Sequence, residues 1–264
     1  MSAGRMEFLS TKLHYRVSFS FVLPYDWHPE DIKGNPHYDR APKTLLLLHG
    51  YSGTDTDWLY KGVAHDLSMK YNLVIIMPTV ENNFYIDRGY DGGQYGEFTG
   101  EELPAYVEKV FGVSKKKEDW LIGGLSMGGY GALHTAFAYP DRFSACIGLS
   151  SAMFIHQAAN IEPGFMDDTR SYGYYREVFG DLKNLEASDH NPEVQIRRLK
   201  AEGKTLPKLY LAIGTEDDLY AGNQEFRHFL EKEGVDFIYE DGPGIHDWNF
   251  WNTYMDRGLE RILG

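Results

Sequence analysis

Trp120-Leu121-Ile122-Gly123-Gly124-Leu125-Ser126-Met127-Gly128-Gly129-Tyr130-Gly131 is the stretch on which the reading of this chain turns. An apolar, strand-like run enters a Gly-x-Ser-x-Gly turn, and small residues lead out of it into an Ala-rich, helix-like segment. In that context Ser126 is a candidate nucleophile on a sharp strand-to-helix elbow. Gly124 and Gly128 carry no side chain, so the turn can approach its neighbours closely while the serine takes an unfavourable backbone conformation. The five-residue pattern alone is weak, because runs of small residues also arise in loops. Its place between a buried strand and a helix is what gives it weight.

Outward from the elbow, strands and helices alternate. Short, nearly unbroken apolar runs lie at Thr44 to Leu48, Leu73 to Met77, Leu121-Ile122, Ala145 to Leu149 and Leu209 to Ile213. Such runs mark strands buried on both faces, as in a parallel sheet covered by helices. Tyr15 to Leu23 alternates instead, and predicts a half-exposed, antiparallel leading strand. Thr99-Gly100-Glu101-Glu102 reads as a capping box opening a helix through Val110. Gly129 to Tyr139 predicts a helix stopped by Pro140, and Asn223 to Glu233 one stopped by Gly234. Val235 to Tyr239 reads as a last strand, followed by an aromatic-rich helix over Asp247 to Leu263. The expectation is one α/β domain over 1–264.

One region interrupts the alternation. From Ser151 to about Pro207 no strand is evident, while Met153, Phe154, Phe165, Met166, Tyr172, Tyr174, Tyr175 and Phe179 supply bulk. It is too long for a plain connection and reads as a partly helical cap or lid insertion at about 151–207. Some of its aromatics would contact substrate and others only pack the insertion down. The loop Asn82 to Phe98, with Tyr85, Tyr90 and Tyr95, reads as a second rim.

Composition narrows the function classes. The 264 residues carry a formal charge of −13, a field that repels phosphate backbones and argues against nucleic-acid binding. No stretch reaches the length of a membrane span, and the first residues lack the apolar core of a signal peptide, so a cytoplasmic location is expected. The single cysteine, Cys146, excludes an intrachain disulfide and a thiol-based zinc site, and reads as a small core residue. Asp55-x-Asp57 lacks the glycine and distant glutamate of a calcium loop. No Gly-x-x-x-x-Gly-Lys motif is present, so nucleotide hydrolysis has no support.

A serine hydroxyl needs a base, and the chain offers ten histidines. Only His246 lies in a Gly/Pro-rich loop (Gly242-Pro243-Gly244-Ile245-His246-Asp247-Trp248) between a strand and a helix, where an α/β sheet places working residues. His14, His28, His37, His65, His134, His156, His190 and His228 read as ordinary surface or core residues. The orienting acid should fall between Ser126 and His246 in sequence. Glu216, Asp217 and Asp218, after the strand Leu209 to Ile213, compete for that role, and spacing does not choose among them. Two backbone donors are needed for an oxyanion. Met127 follows the nucleophile and supplies one. Leu47-Leu48-His49-Gly50-Tyr51-Ser52-Gly53 ends a strand in a tight turn, which favours the Tyr51 N–H as the other, with His49 bracing the loop.

With these segments assembled, the chain resembles the esterase D-related group of α/β-hydrolases, which includes tributyrin and acetyl esterases, S-formylglutathione hydrolases and feruloyl esterases. The resemblance rests on His49-Gly50-Tyr51-Ser52-Gly53 with Asp57-Trp58, on Gly124-Leu125-Ser126-Met127-Gly128-Gly129, on Gly214-Thr215-Glu216-Asp217, and on His246-Asp247-Trp248. It implies the α/β-hydrolase fold and a triad of Ser126, Asp217 and His246, with no metal and no organic cofactor. It further implies hydrolysis of short acyl esters, with feruloyl, acetylxylan-type or S-formylglutathione substrates as alternatives. Dimers or tetramers are the assemblies such a resemblance suggests. S-formylglutathione hydrolases usually carry Ser-Gly-Leu-Thr-Cys where this chain has His49 to Gly53, which weighs against a glutathione thioester.

Overall fold

The computed structural model describes residues 2–264. The elbow strand stands near the middle of the sheet. Eight strands form one sheet in the order β1-β2-β4-β3-β5-β6-β7-β8. The strands are β1 (Ser2–Leu9), β2 (Arg16–Leu23), β3 (Lys43–Leu48), β4 (Leu73–Pro78), β5 (Trp120–Leu125), β6 (Ala145–Leu149), β7 (Lys208–Gly214) and β8 (Ile238–Gly242). From β4 to β8 all pairings are parallel, while β2 runs antiparallel to both β1 and β4. This is the α/β-hydrolase arrangement that the motif set implies.

The apolar runs bury alternate residues on opposite faces. Leu46, Leu48, Val74, Ile76, Ile122, Cys146 and Leu211 join one core, and Leu45, Leu47, Ile75, Leu121, Ile147 and Ala212 join the other. The first face is covered by α2 (Leu103–Phe111), α3 (Met127–Ala138), α6 (Pro192–Ala201) and α7 (Tyr220–Glu233), the second by α1 (Ala64–Tyr71) and α8 (Trp248–Leu263). Period-two burial on both faces requires continuous apolarity, which is why these strands are legible as unbroken runs. Cys146 is fully buried, and burial raises its thiol pKa, as befits a core residue.

Several expectations are corrected in detail. The alternating strand at Arg16–Leu23 is antiparallel as expected, but it is not the leading one, since Ser2–Leu9 pairs along its whole outer edge. The last strand begins at Ile238 and runs on through Glu240, Asp241 and Gly242. As the sheet's edge it needs apolar contact on few positions, and its acidic residues find polar partners, Glu240 on Arg257 and Arg261 and Asp241 on the Tyr220 hydroxyl. The capping box does not form. Helical backbone already begins at Tyr95, so the Thr99 hydroxyl donates back to the Tyr95 carbonyl at 2.7 Å. Its intended partner Glu102 instead accepts from the Thr11 N–H.

Helix α3 follows Ser126 directly, and α8 begins after Asp247, whose carboxylate caps the Phe250 N–H at 3.0 Å. Between β6 and β7 no strand occurs. That segment holds α4 (Ile155–Ala159), α5 (Tyr172–Phe179) and α6, linked by loops and a turn of 3₁₀ helix. No helix among the described residues is long and apolar enough to cross a membrane.

Candidate active site

The carboxyl ends of β3, β5, β7 and β8 converge on one cavity. At the end of β5, Ser126 sits at φ +55° and ψ −120°, a region that non-glycine residues avoid, so its side chain projects from a strained elbow. Bare backbone holds it there. A Cβ on Gly128 would lie 2.6 Å from the Leu48 carbonyl oxygen, and one on Gly124 would collide with the Gly128 carbonyl. The Ser126 N–H donates to Leu149 at 2.9 Å, tying the elbow to β6.

His246 reaches Ser126 from the loop after β8. Its Nε2 lies 3.0 Å from the Ser126 Oγ, and its Nδ1 lies 2.8 Å from Asp217 Oδ2. An ionised carboxylate only accepts, so the proton belongs on Nδ1, and Nε2 is free to accept from the serine hydroxyl. Of the three acids in the β7 turn, Asp217 is the one in contact with the imidazole. Glu216 instead accepts from the Gly244 N–H at 2.7 Å and fixes the histidine loop. Asp218 lines the cavity without contacting the imidazole.

Asp217 is buried, and burial alone would raise its pKa. Hydrogen bonds from His246, the Leu219 N–H and the Ser150 hydroxyl outweigh that, holding the carboxyl below the usual aspartate range. Ser150 in turn accepts from the Trp251 indole N–H at 3.1 Å, and the Trp251 ring stands edge-on to the His246 ring with centroids 4.8 Å apart. Ser150 and Trp251 are parts of the site that sequence reasoning missed. The only sequence signal for Ser150 was its place at the end of β6, and Trp251 was hidden in the aromatic count of the last helix.

At the end of β3 the chain turns through Gly50, Tyr51 and Ser52. The Gly53 N–H closes onto the Gly50 carbonyl, and the Ser52 N–H is taken by the Asn82 side chain. The Tyr51 N–H has no acceptor among the described residues. Met127 opens α3, so its N–H lies among those that a helix leaves unbonded. His49 is buried, which lowers its pKa; its Nδ1–H donates to the Gly50 carbonyl at 2.7 Å and its Nε2 accepts from the Val80 N–H at 3.1 Å. It braces the turn, as expected, and has no access to the cavity.

The cavity has a volume of about 250 Å³. Tyr51, Phe84, Met127, Ala152, Phe154 and Leu219 make most of its wall, with Thr169 and Arg170 reaching in from the insertion. The aromatics of residues 151–207 sort into two groups. Phe154 lines the cavity and packs edge-on against Phe84 at 5.1 Å, whereas Tyr175 and Phe179 are buried behind it. The loop after β4 reaches the cavity, but not through the tyrosines expected there. Tyr85 is fully buried with its hydroxyl on the His49 carbonyl, Tyr95 is buried too, and the residue that meets the cavity is Phe84. Among the described residues no group of three His, Cys, Asp or Glu side chains is placed to hold a metal ion.

Fold and site together define a serine hydrolase of the α/β-hydrolase fold. More particularly, residues 10–262 match the family described as "Putative esterase", and the chain belongs to that family of carboxylic ester hydrolases. It is 39% identical over 260 residues to an acetyl esterase of Caldicellulosiruptor saccharolyticus, covering 98% of this chain and 97% of that one. Among solved structures it is similar to the fluorophosphonate-binding serine hydrolase F of Staphylococcus aureus, with a TM-score of 0.84, 27% identity and coverage of 100% and 98% of the two chains. An S-formylglutathione hydrolase of the same organism gives a TM-score of 0.83 and 27% identity, over 100% and 99%. A ferulic acid esterase at 23% identity and a TM-score of 0.73, over 99% and 97%, shares the fold.

Proposed function

We propose that this chain hydrolyses short-chain acyl esters through a Ser126-His246-Asp217 triad and a covalent acyl-enzyme. The observation that carries the reading is the unbroken chain of contacts, 2.8 Å from carboxylate to imidazole and 3.0 Å from imidazole to hydroxyl. In the first step Ser126 Oγ attacks the ester carbonyl carbon while His246 Nε2 takes the hydroxyl proton. The carbonyl oxygen becomes an oxyanion, which the N–H groups of Tyr51 and Met127 receive. Collapse breaks the carbon–oxygen bond to the alcohol, and His246 gives its proton to the leaving oxygen. Water then repeats the sequence on the acyl-enzyme, releasing the acid and restoring Ser126. Asp217 keeps the proton on Nδ1 and stabilises the imidazolium that forms twice per cycle.

The residues 151–207 serve as a cap whose Phe154, with Phe84 below it, bounds the acyl group. A pocket of this size and lining suits acetyl to butyryl groups, and the 39% identical acetyl esterase supports the same range. The decisive experiment is Ser126→Ala assayed on p-nitrophenyl acetate and butyrate. Turnover should fall by roughly 10^4- to 10^6-fold with the thermal midpoint unchanged, and near-normal turnover would overturn the assignment. A kcat/KM series over acetate, butyrate, octanoate and ferulate esters and S-formylglutathione tests the substrate class. Preference for ferulate or for the thioester would replace the short-acyl reading with that of the structural neighbours.

A further inference from the structure

The turn at Gly50 to Ser52 is held from outside, by the segment that follows β4. The Val80 N–H donates to His49 Nε2 at 3.1 Å and the Tyr85 hydroxyl to the His49 carbonyl at 2.9 Å. On the other side, Asn82 Oδ1 accepts the Ser52 N–H at 2.7 Å. Ser52 itself has φ +60°, a left-handed conformation that is unfavourable for a serine and persists only where surroundings impose it. The Asn82 bond falls on the amide of that strained residue, one peptide plane from the Tyr51 N–H.

Asn82 is fixed in its turn. Its backbone carbonyl accepts the hydroxyl of Tyr174, from α5, at 2.7 Å. Two residues further on, Phe84 and Tyr85 have φ +59° and +60°, two consecutive left-handed residues that are not glycine, with the Tyr85 N–H on Asn83 Oδ1 at 2.9 Å. A loop that stores strain at two adjacent positions has few alternative conformations. The rings of Tyr51 and Tyr174 also meet edge-on, with centroids 6.0 Å apart. A line of contacts therefore runs from the insertion through Asn82 to the turn, using only hydrogen bonds and one ring pair.

We propose that Asn82 is a positioning residue for the oxyanion hole: by holding the Ser52 amide it aims the Tyr51 N–H, and Tyr174 holds Asn82 in place to do so. This rests on the reading of Tyr51 as an oxyanion donor. Loss of a donor's alignment penalises the tetrahedral state more than the bound ester, since the donor is aimed at the oxyanion and not at the ground-state carbonyl.

The test is Asn82→Ala beside Tyr174→Phe, each measured for kcat, KM and the affinity of phenylboronic acid, which forms a tetrahedral adduct on a serine nucleophile. Removing a full oxyanion donor costs about 10²- to 10³-fold in kcat, so misaiming one should cost about 10- to 100-fold, with KM within about threefold. Boronate affinity should fall by a similar factor, and the pH dependence of kcat/KM should keep its shape, because His246 and Asp217 are untouched. Tyr174→Phe should move the same quantities less, by about two- to fivefold on the same scale. Loss that appears only as raised KM or a lowered thermal midpoint, with the boronate unaffected, would overturn the proposal. Should Asn82→Ala fail to fold, Tyr174→Phe carries the test alone, with wild-type kcat and boronate affinity as the contrary result. Activity retained in Ser126→Ala would remove the underlying reading. Activity lost there but kept in both Asn82→Ala and Tyr174→Phe would remove only the role of Asn82.

Discussion

The elbow and the insertion meet at the same cavity but are fixed by opposite means. Around Ser126 the contacts are backbone on backbone, with Gly124 against Gly128 and Gly128 against Leu48 and His49. The segment 151–207 is fixed by rings, with Phe154 edge-on and Phe179 tilted against Phe84, Phe179 edge-on to Tyr130 and Tyr175 stacked on Phe179, and by surface ion pairs such as His156 with Glu186 and Glu193. Backbone contacts tolerate almost no change, because any side chain added to them collides. Ring contacts tolerate exchange, at a graded cost. Ser126 thus sits on the first kind of support, and the Phe154 wall of the cavity on the second.

Substitutions can break that contrast. The largest effect is expected from Asp217→Asn, which leaves the shape but lets the imidazole take the wrong tautomer, for a loss of about 10^4-fold in kcat. Glu216→Gln should cost little, and if it proved the more damaging change the acid would be misassigned. On the insertion side, Phe154→Ala should destabilise the fold by about 3 kcal/mol, within the range for a buried aromatic. It should also raise the octanoate-to-acetate ratio of kcat/KM, as the cavity deepens, by about tenfold on the scale of a few buried methylenes. An unchanged ratio would place the acyl group elsewhere.

The smallest effect lies on the seam between the regions. His134, on α3, is buried beside His190 of the insertion, with ring centroids 6.0 Å apart and the Tyr130 hydroxyl on the His190 carbonyl. Burial, with the nearby His190 and Arg198 charges, lowers the His134 pKa to about 3, and burial lowers His190 as well, against Asp87 and Asp189. The unfolded chain therefore binds more protons below its own histidine pKa of about 6.5. Stability from the neutral pair is fully present above that pH and declines as the pH falls from about 6.5 toward 3. Thermal midpoints at pH 7.5, 6 and 5 should show the fall, and His134→Gln should flatten it; a parallel decline in both proteins would assign the acid lability to other groups.

Much of this was legible in the sequence because it is local. The elbow, its glycines and the histidine loop are patterns within a dozen residues, and burial on both faces shows as unbroken apolarity. What was not legible depends on residues far apart in sequence. Glu216, Asp217 and Asp218 differ only in which way the β7 turn points them. Asn82 acts on an amide 30 positions away, and a backbone amide has no sequence signature. Edge strands were less legible for a related reason: Ser2–Leu9 was missed, and the last strand, read at Val235 to Tyr239, lies at Ile238–Gly242. Each pairs with a neighbour along one edge only, so Arg5, Glu7, Glu240 and Asp241 sit in them at little cost and blur the pattern. The capping box failed because it is a statement about where a helix starts, and the preceding residues had already started it.

The indole of Trp251 makes the active site optically self-reporting. It stands edge-on to the imidazole of His246, donates to Ser150, and lies 5.4 Å from the ring of Trp248, which itself meets Trp58 at 5.0 Å. A charged imidazole quenches a neighbouring indole. In the proposed mechanism His246 is neutral in the free protein and the acyl-enzyme and charged only in the tetrahedral states, so a tetrahedral boronate adduct on Ser126 should quench the Trp251 indole in unlabelled protein.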